Sequence, residues 1–108
     1  MIIAVDFDGT LCEDAYPGIG KANNYLIYAL KGRQALGDKL ILWTCRAGEK
    51  LDEAIEWCTE HGLRFDAVND NLPEVVELYG NNSRKITADV YLDDRSEKRW
   101  AQIVGDVV

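Results

Sequence analysis

The sequence predicts an α/β protein, a three-layer Rossmann-like fold with a mainly parallel central sheet. Two apolar runs that do not alternate, Ile2-Ile3-Ala4-Val5 and Leu40-Ile41-Leu42, read as strands buried on both faces. Amphipathic stretches with helical spacing lie between such runs. Strand-helix-strand alternation places parallel strands beneath helices.

Taken in order, residues 2–6 are the expected first strand and 21–36 the first helix. In that helix Ala22, Tyr25, Leu26, Ala29, Leu30 and Arg33 recur at helical spacing, and Gly37 is its stop. Residues 39–44, Lys-Leu-Ile-Leu-Trp-Thr, read as a second buried strand. Residues 49–61 read as a second helix, with Leu51, Ala54, Ile55 and Cys58 on one face and Gly62 at its end. Residues 64–68 are a short third strand. Pro73 opens a short helix reaching Tyr79. Gly80-Asn81-Asn82-Ser83 is a turn, 87–93 a fourth strand and 96–101 a helical turn. Residues 102–108 are a last strand or a frayed tail.

The 108 residues suffice for one domain, 1–108, and not for two. A net charge of −7 argues against an extended nucleic-acid surface, which needs clustered Lys and Arg. No apolar run reaches membrane-spanning length, and residues 1–5 lack the features of a signal peptide. A cytoplasmic protein with no membrane partner is expected. Cys12, Cys45 and Cys58 have no metal-ligand spacing and read as reduced thiols, Cys58 in the core.

In open parallel sheets, ligands bind beyond the C-terminal strand ends. The polar residues fall there: Asp6 ends the first strand, Thr44 the second, Asp93 and Asp94 the fourth. Asp6-Phe7-Asp8-Gly9-Thr10 follows the first apolar run directly. Two carboxylates at a buried strand end are costly unless something offsets their charge, and a bound cation is the simplest candidate. Gly9 lets the backbone turn sharply, and Thr10 is suited to hydrogen-bond within the turn.

In chain order the polar elements are Asp6-x-Asp8-Gly9-Thr10, Thr44, Lys85 and Asp93-Asp94-Arg95. This series resembles the haloacid dehalogenase superfamily of phosphotransferases over nearly the whole chain. The resemblance implies a Mg²⁺-dependent phosphatase. Asp6 matches the nucleophile that forms an aspartyl-phosphate, and Asp8 the acid/base two residues on. Thr44 matches the hydroxyl residue that contacts the phosphate. Lys85 matches the basic residue that neutralises the site, although it stands closer to the last acids than is usual. Lys50 and Arg84 are the alternatives for that role. The Asp6 carboxylate, the Asp8 main-chain carbonyl and Asp94, with Asp93 close behind, match the Mg²⁺ ligands. Gly9 belongs to the phosphate-binding turn. Arg46 suits a phosphate through its planar fork, with a solvated loop cation as the equal alternative.

Neither residues 9–20 nor 69–84 can fold as the cap domain that many members insert. A minimal, capless site is open, and a partner subunit of a homo-oligomer or a large substrate would complete it. Capless relatives include phosphatases of protein phosphoesters and of phosphorylated polynucleotide ends, and Asp93-Asp94-Arg95 resembles the last type; the expected substrate is a phosphorylated small molecule or polynucleotide end. The remaining residues read as structural. His61 suits a helix end, and Trp43 and Trp57 pack the sheet and its helix. Asp70 and Asp89 read as turn and strand-edge acids, while Glu13 and Asp14 stand at the entrance or in solvent. A receiver domain shares these residue types, but its acid pair comes first and its phosphorylated Asp later, the reverse of this order. A catalytically silent or phospho-binding module on the same scaffold is the other reading. Dehalogenase chemistry would leave Asp8 and the Asp93-Asp94 pair without a role.

Overall fold

In the computed structural model, which describes residues 1–80 and 86–93, the apolar runs form strands and the amphipathic stretches form helices. The order is β1 (Ile2–Val5), α1 (Asn24–Ala35), β2 (Lys39–Leu42), α2 (Gly48–Glu60), β3 (Ala67–Val68), α3 (Pro73–Tyr79) and β4 (Val90–Leu92). The expectations for Arg84, Lys85, Asp94 and Arg95, and for residues 81–83, 96–101 and 102–108, lie outside the described residues.

The strands pair in the order β3-β2-β1-β4, and every pairing is parallel. Pleating sends Ile3, Val5, Leu40, Leu42, Val68, Val90 and Leu92 to one face, where they pack with Leu26, Ala29 and Leu30 of α1 and Ala54 and Cys58 of α2. Ile2, Ala4, Ile41, Ala67 and Tyr91 point to the other face and pack with Leu72 and with Val75 of α3. Helices on both faces of one parallel sheet make the three-layer, Rossmann-like architecture the sequence predicts. Ile3, Val5, Leu40 and Leu42 are fully buried, and each such side chain contributes roughly 1.5–3 kcal/mol.

From β1 through β3 the strands advance in one direction with both helices on one face. The chain then crosses back to set β4 on the far side of β1, with α3 on the opposite face. Crossovers of a single hand, right-handed in nearly all parallel sheets, account for this arrangement. Strand order therefore reverses between β1 and β4, the switch point where ligands bind in such sheets.

The element ends differ from expectation where side chains take over backbone partners. Helix α1 starts at Asn24, because the Asn23 Oδ1 accepts from Leu26 N (3.2 Å) and caps it. Residues 21 and 22 instead run beside the preceding loop: Glu13 N donates to Lys21 O (2.8 Å), and Ala22 bridges Cys12. Tyr25 faces solvent, and Leu26, Ile27, Ala29 and Leu30 form the buried stripe.

Strands β3 and β4 are shorter than expected because each is preceded by an Asp that pairs with its neighbour. Asp66 accepts from Leu40 N (2.8 Å), and Asp89 from Ile2 N (2.6 Å). Residues 86–88 do not extend β4. The Tyr91 hydroxyl donates to Ile86 O and accepts from Ala88 N (3.2 Å), and the buried Asn71 accepts from Thr87 N (2.6 Å). Among the described residues no cap domain interrupts the sheet, and no helix is long and apolar enough to cross a membrane.

Candidate active site

Strand register builds the site. Val5 pairs with Leu42 on one side and Leu92 on the other. One residue further, Asp6 is flanked by Trp43 and Asp93. The pairing persists there, since Asp6 N donates to Leu92 O (2.9 Å) and Trp43 N to Val5 O (2.8 Å). Asp6 and Asp93, both half-buried, thus stand side by side at the switch point between β1 and β4. Phe7 anchors the motif in the core: it is fully buried and meets Trp57 edge-on, with ring centroids 5.4 Å apart. Asp6 Oδ1 accepts from Phe7 N (2.8 Å).

The chain turns at once after Asp8. Gly9 has φ +82°, a conformation costly for residues with a Cβ, and its N–H donates to Cys12 O (2.9 Å). That N–H is therefore spent inside the turn, so what Gly9 supplies to the expected phosphate site is the turn itself. Thr10 departs from expectation: its N–H bonds to Phe7 O (3.2 Å), but its buried hydroxyl has no hydrogen-bond partner among the described residues. The returning strand of the loop passes so close that a Cβ on Gly20 would lie 2.2 Å from Glu13 O. Glu13 stays exposed and lines a groove of about 300 Å³ with Thr10, Cys12 and Lys21. Asp14 accepts from Tyr16 N (3.3 Å).

Arg46 is neither a solvated cation nor an open phosphate fork in this arrangement. It is 3% exposed and grips both oxygens of Asp8. Its Nε donates to Asp8 Oδ2 (2.8 Å) and its Nη2 to Asp8 Oδ1 (2.8 Å). Nη2 also donates to Gly18 O (2.7 Å), and Nη1 to Pro17 O (3.4 Å) and Lys50 O (3.5 Å). The guanidinium lies 5.0 Å from the Phe7 ring centre and 5.1 Å from that of Tyr16. The hydrogen bonds to Asp8 hold Arg46 above its usual pKa, against the opposing effect of burial. A charge this deep requires such pairing.

Thr44 lies two residues beyond β2 rather than at its end. Its hydroxyl accepts from Arg46 N (3.1 Å), which leaves its own proton to donate. Asn69, in the left-handed region at φ +50°, accepts from Thr44 N (2.7 Å) and sets this loop. Sequence reasoning missed Asn69 and the Tyr16-Pro17-Gly18 cradle of Arg46. An Asn directly after a strand was the available signal for the first. Nothing local signals the second.

Of the other residues weighed, Lys50 contacts Glu53 (3.5 Å) on the surface of α2. His61 caps α2, its Nδ1 donating to Trp57 O (2.8 Å), and its ring stacks on Trp57 (3.9 Å). Trp43 differs from the expected core residue: it is 42% exposed and touches Tyr91 edge-on (5.7 Å). All three cysteines are free; Cys12 and Cys58 are buried and Cys45 is exposed. Burial pushes the Cys58 thiol up to about 12 and raises that of Cys12 as well. Asp70 accepts from Asn71 N (2.8 Å) in a turn.

Among the described residues no group of three His, Cys, Asp or Glu side chains is placed to hold a metal ion. Mg²⁺ needs only one or two carboxylates, with water and substrate phosphate completing its shell, so Asp6 and Asp93 are the residues that could hold it.

No family model matches this chain, and no curated protein does. A solved structure of a conserved protein from Bacteroides thetaiotaomicron is similar to it at 43% identity and a TM-score of 0.81. The match covers 100% of this chain and 93% of that one.

Proposed function

The chain belongs to the same family as that conserved Bacteroides thetaiotaomicron protein, and for this member we propose a Mg²⁺-dependent phosphomonoesterase of the haloacid dehalogenase type. The observation that carries the proposal is the pair Asp6 and Asp93, side by side at the switch point beyond Val5 and Leu92. Asp8 and Thr44 emerge at the same sheet edge. Packing alone gives no reason to collect these groups there, whereas phosphoryl transfer needs each of them.

The residues divide the work as follows. A carboxylate oxygen of Asp6 attacks phosphorus as the bond from phosphorus to the leaving oxygen breaks. The leaving oxygen takes the proton of Asp8. Water then attacks the aspartyl-phosphate and gives its proton to Asp8, which frees Asp6 and inorganic phosphate. The Thr44 hydroxyl donates to a phosphoryl oxygen. Asp6, the Asp8 carbonyl and Asp93 would hold Mg²⁺, with Asp94 the further candidate. Mg²⁺ would neutralise the phosphoryl oxygens and bring them within reach of Asp6. Lys85 is the proposed second cation of the site. The substrate is a phosphomonoester, small or at a polynucleotide end.

Hydrolysis of 4-nitrophenyl phosphate by the wild type and Asp6→Asn, with and without Mg²⁺, tests this. Mg²⁺-dependent release that vanishes in the variant is the expected result. Equal release by the variant would reject Asp6 as nucleophile.

A second reading is a phospho-binding module without turnover. It draws on the grip of Arg46 on both oxygens of Asp8, which would suit a static site. It expects inorganic phosphate to bind and no ester to be cleaved.

A further inference from the structure

We infer that Arg46 is a positioning residue for Asp8 and not a ligand of the substrate phosphate. The inference rests on the phosphatase reading and adds to it a device that ties the acid/base to the loop beside the site.

A guanidinium has five N–H donors. In Arg46 all of them are engaged: two by the Asp8 oxygens, one each by the carbonyls of Gly18, Pro17 and Lys50. The side chain is buried between the motif, the 16–18 loop and the first turn of α2, with the Phe7 and Tyr16 rings against its plane. A phosphate could reach it only by displacing these partners.

Asp8 keeps what its own task requires. A carboxylate offers about four acceptor positions, and the fork uses two. The remaining two are held in fixed directions, because a bidentate pair stops the carboxylate from rotating. Asp8 can then take a proton from water without searching for an orientation. The carbonyls of Pro17 and Gly18 extend the device, so the exposed loop carrying Tyr16 and the aim of Asp8 are set by one side chain.

The test separates a positioning role from a binding role with 4-nitrophenyl phosphate, whose leaving group needs no proton. In Arg46→Lys the pre-steady-state burst of nitrophenolate should persist, since attack by Asp6 is intact. Steady-state turnover should fall about a hundredfold, because Asp8 no longer activates water well. The inhibition constant of inorganic phosphate should change less than about threefold, against the tenfold or greater loss expected when a direct charged contact is removed. A lost burst together with a tenfold weaker inhibition by phosphate would overturn the inference and leave the phosphatase reading standing. A wild type that releases no nitrophenolate would overturn both. If Arg46→Lys does not fold, Tyr16→Ala removes an exposed ring from the guanidinium. The same pattern at smaller amplitude is expected there, and a lost burst with weakened phosphate inhibition would again overturn the inference.

Discussion

At Thr10 a hydroxyl is sealed inside the turn after Asp8 with no hydrogen-bond partner among the described residues. A buried group of this kind costs about 1–3 kcal/mol relative to a satisfied one. Thr10→Val replaces it with an apolar group of similar shape. The variant should be as stable as the wild type or up to about 1 kcal/mol more stable, read from the urea midpoint; a loss above about 1 kcal/mol would mean that the hydroxyl is bonded. The candidate groups of the site were legible at this scale, because residue identities and their spacing are read directly from Asp-x-Asp-Gly-Thr. The partners were not. Arg46 and Asp8 are 38 positions apart, and no local pattern tells a buried, paired arginine from a solvated one.

Between elements, the α1–β2 connection holds a charged cluster with a readable pH dependence. Asp38 accepts from Arg33 Nε (2.7 Å) and from the Met1 amino group (2.8 Å). Burial opposes its charge, yet the hydrogen bonds from the amino group and Arg33 prevail and hold its pKa below the ordinary 3.8. A carboxylate lowered on folding contributes stability above its unfolded pKa and loses it as pH falls through the folded one. Asp38→Asn should therefore cost about 1–2 kcal/mol at pH 7. The difference from wild type should shrink below about pH 4 in urea titrations. A difference independent of pH would remove the ion pairs from the account. Element type and order were readable because period and turn residues are local properties. Strand ends were not, because Asp66, Asp89 and Tyr91 satisfy backbone groups on other segments.

Across the molecule, the strand order brings acids separated by most of the chain into one anionic corner. Like charges brought together repel one another, and a bound cation would offset that repulsion. Any ligand that binds only the folded state adds RT ln(1 + [L]/Kd), about 2.7 kcal/mol at a hundred times Kd. On the proposed reading, Mg²⁺ should raise the melting temperature of the wild type and EDTA should reverse the shift. Asp6→Asn should melt no lower than wild type in EDTA and respond little to Mg²⁺. An equal Mg²⁺ shift in both proteins would place the ion elsewhere.

By itself the sequence determined the fold class, the succession of elements and the inventory of chemical groups at the strand ends. Each of these follows from local hydrophobic period, turn residues and residue identity. Only the tertiary structure decided which groups meet. The return of the chain across β1 sets Asp93 beside Asp6, and the packing of a loop against a helix gives Arg46 to Asp8. Such pairings depend on strand order and on the closing of long loops, which are properties of the whole chain and of no window within it.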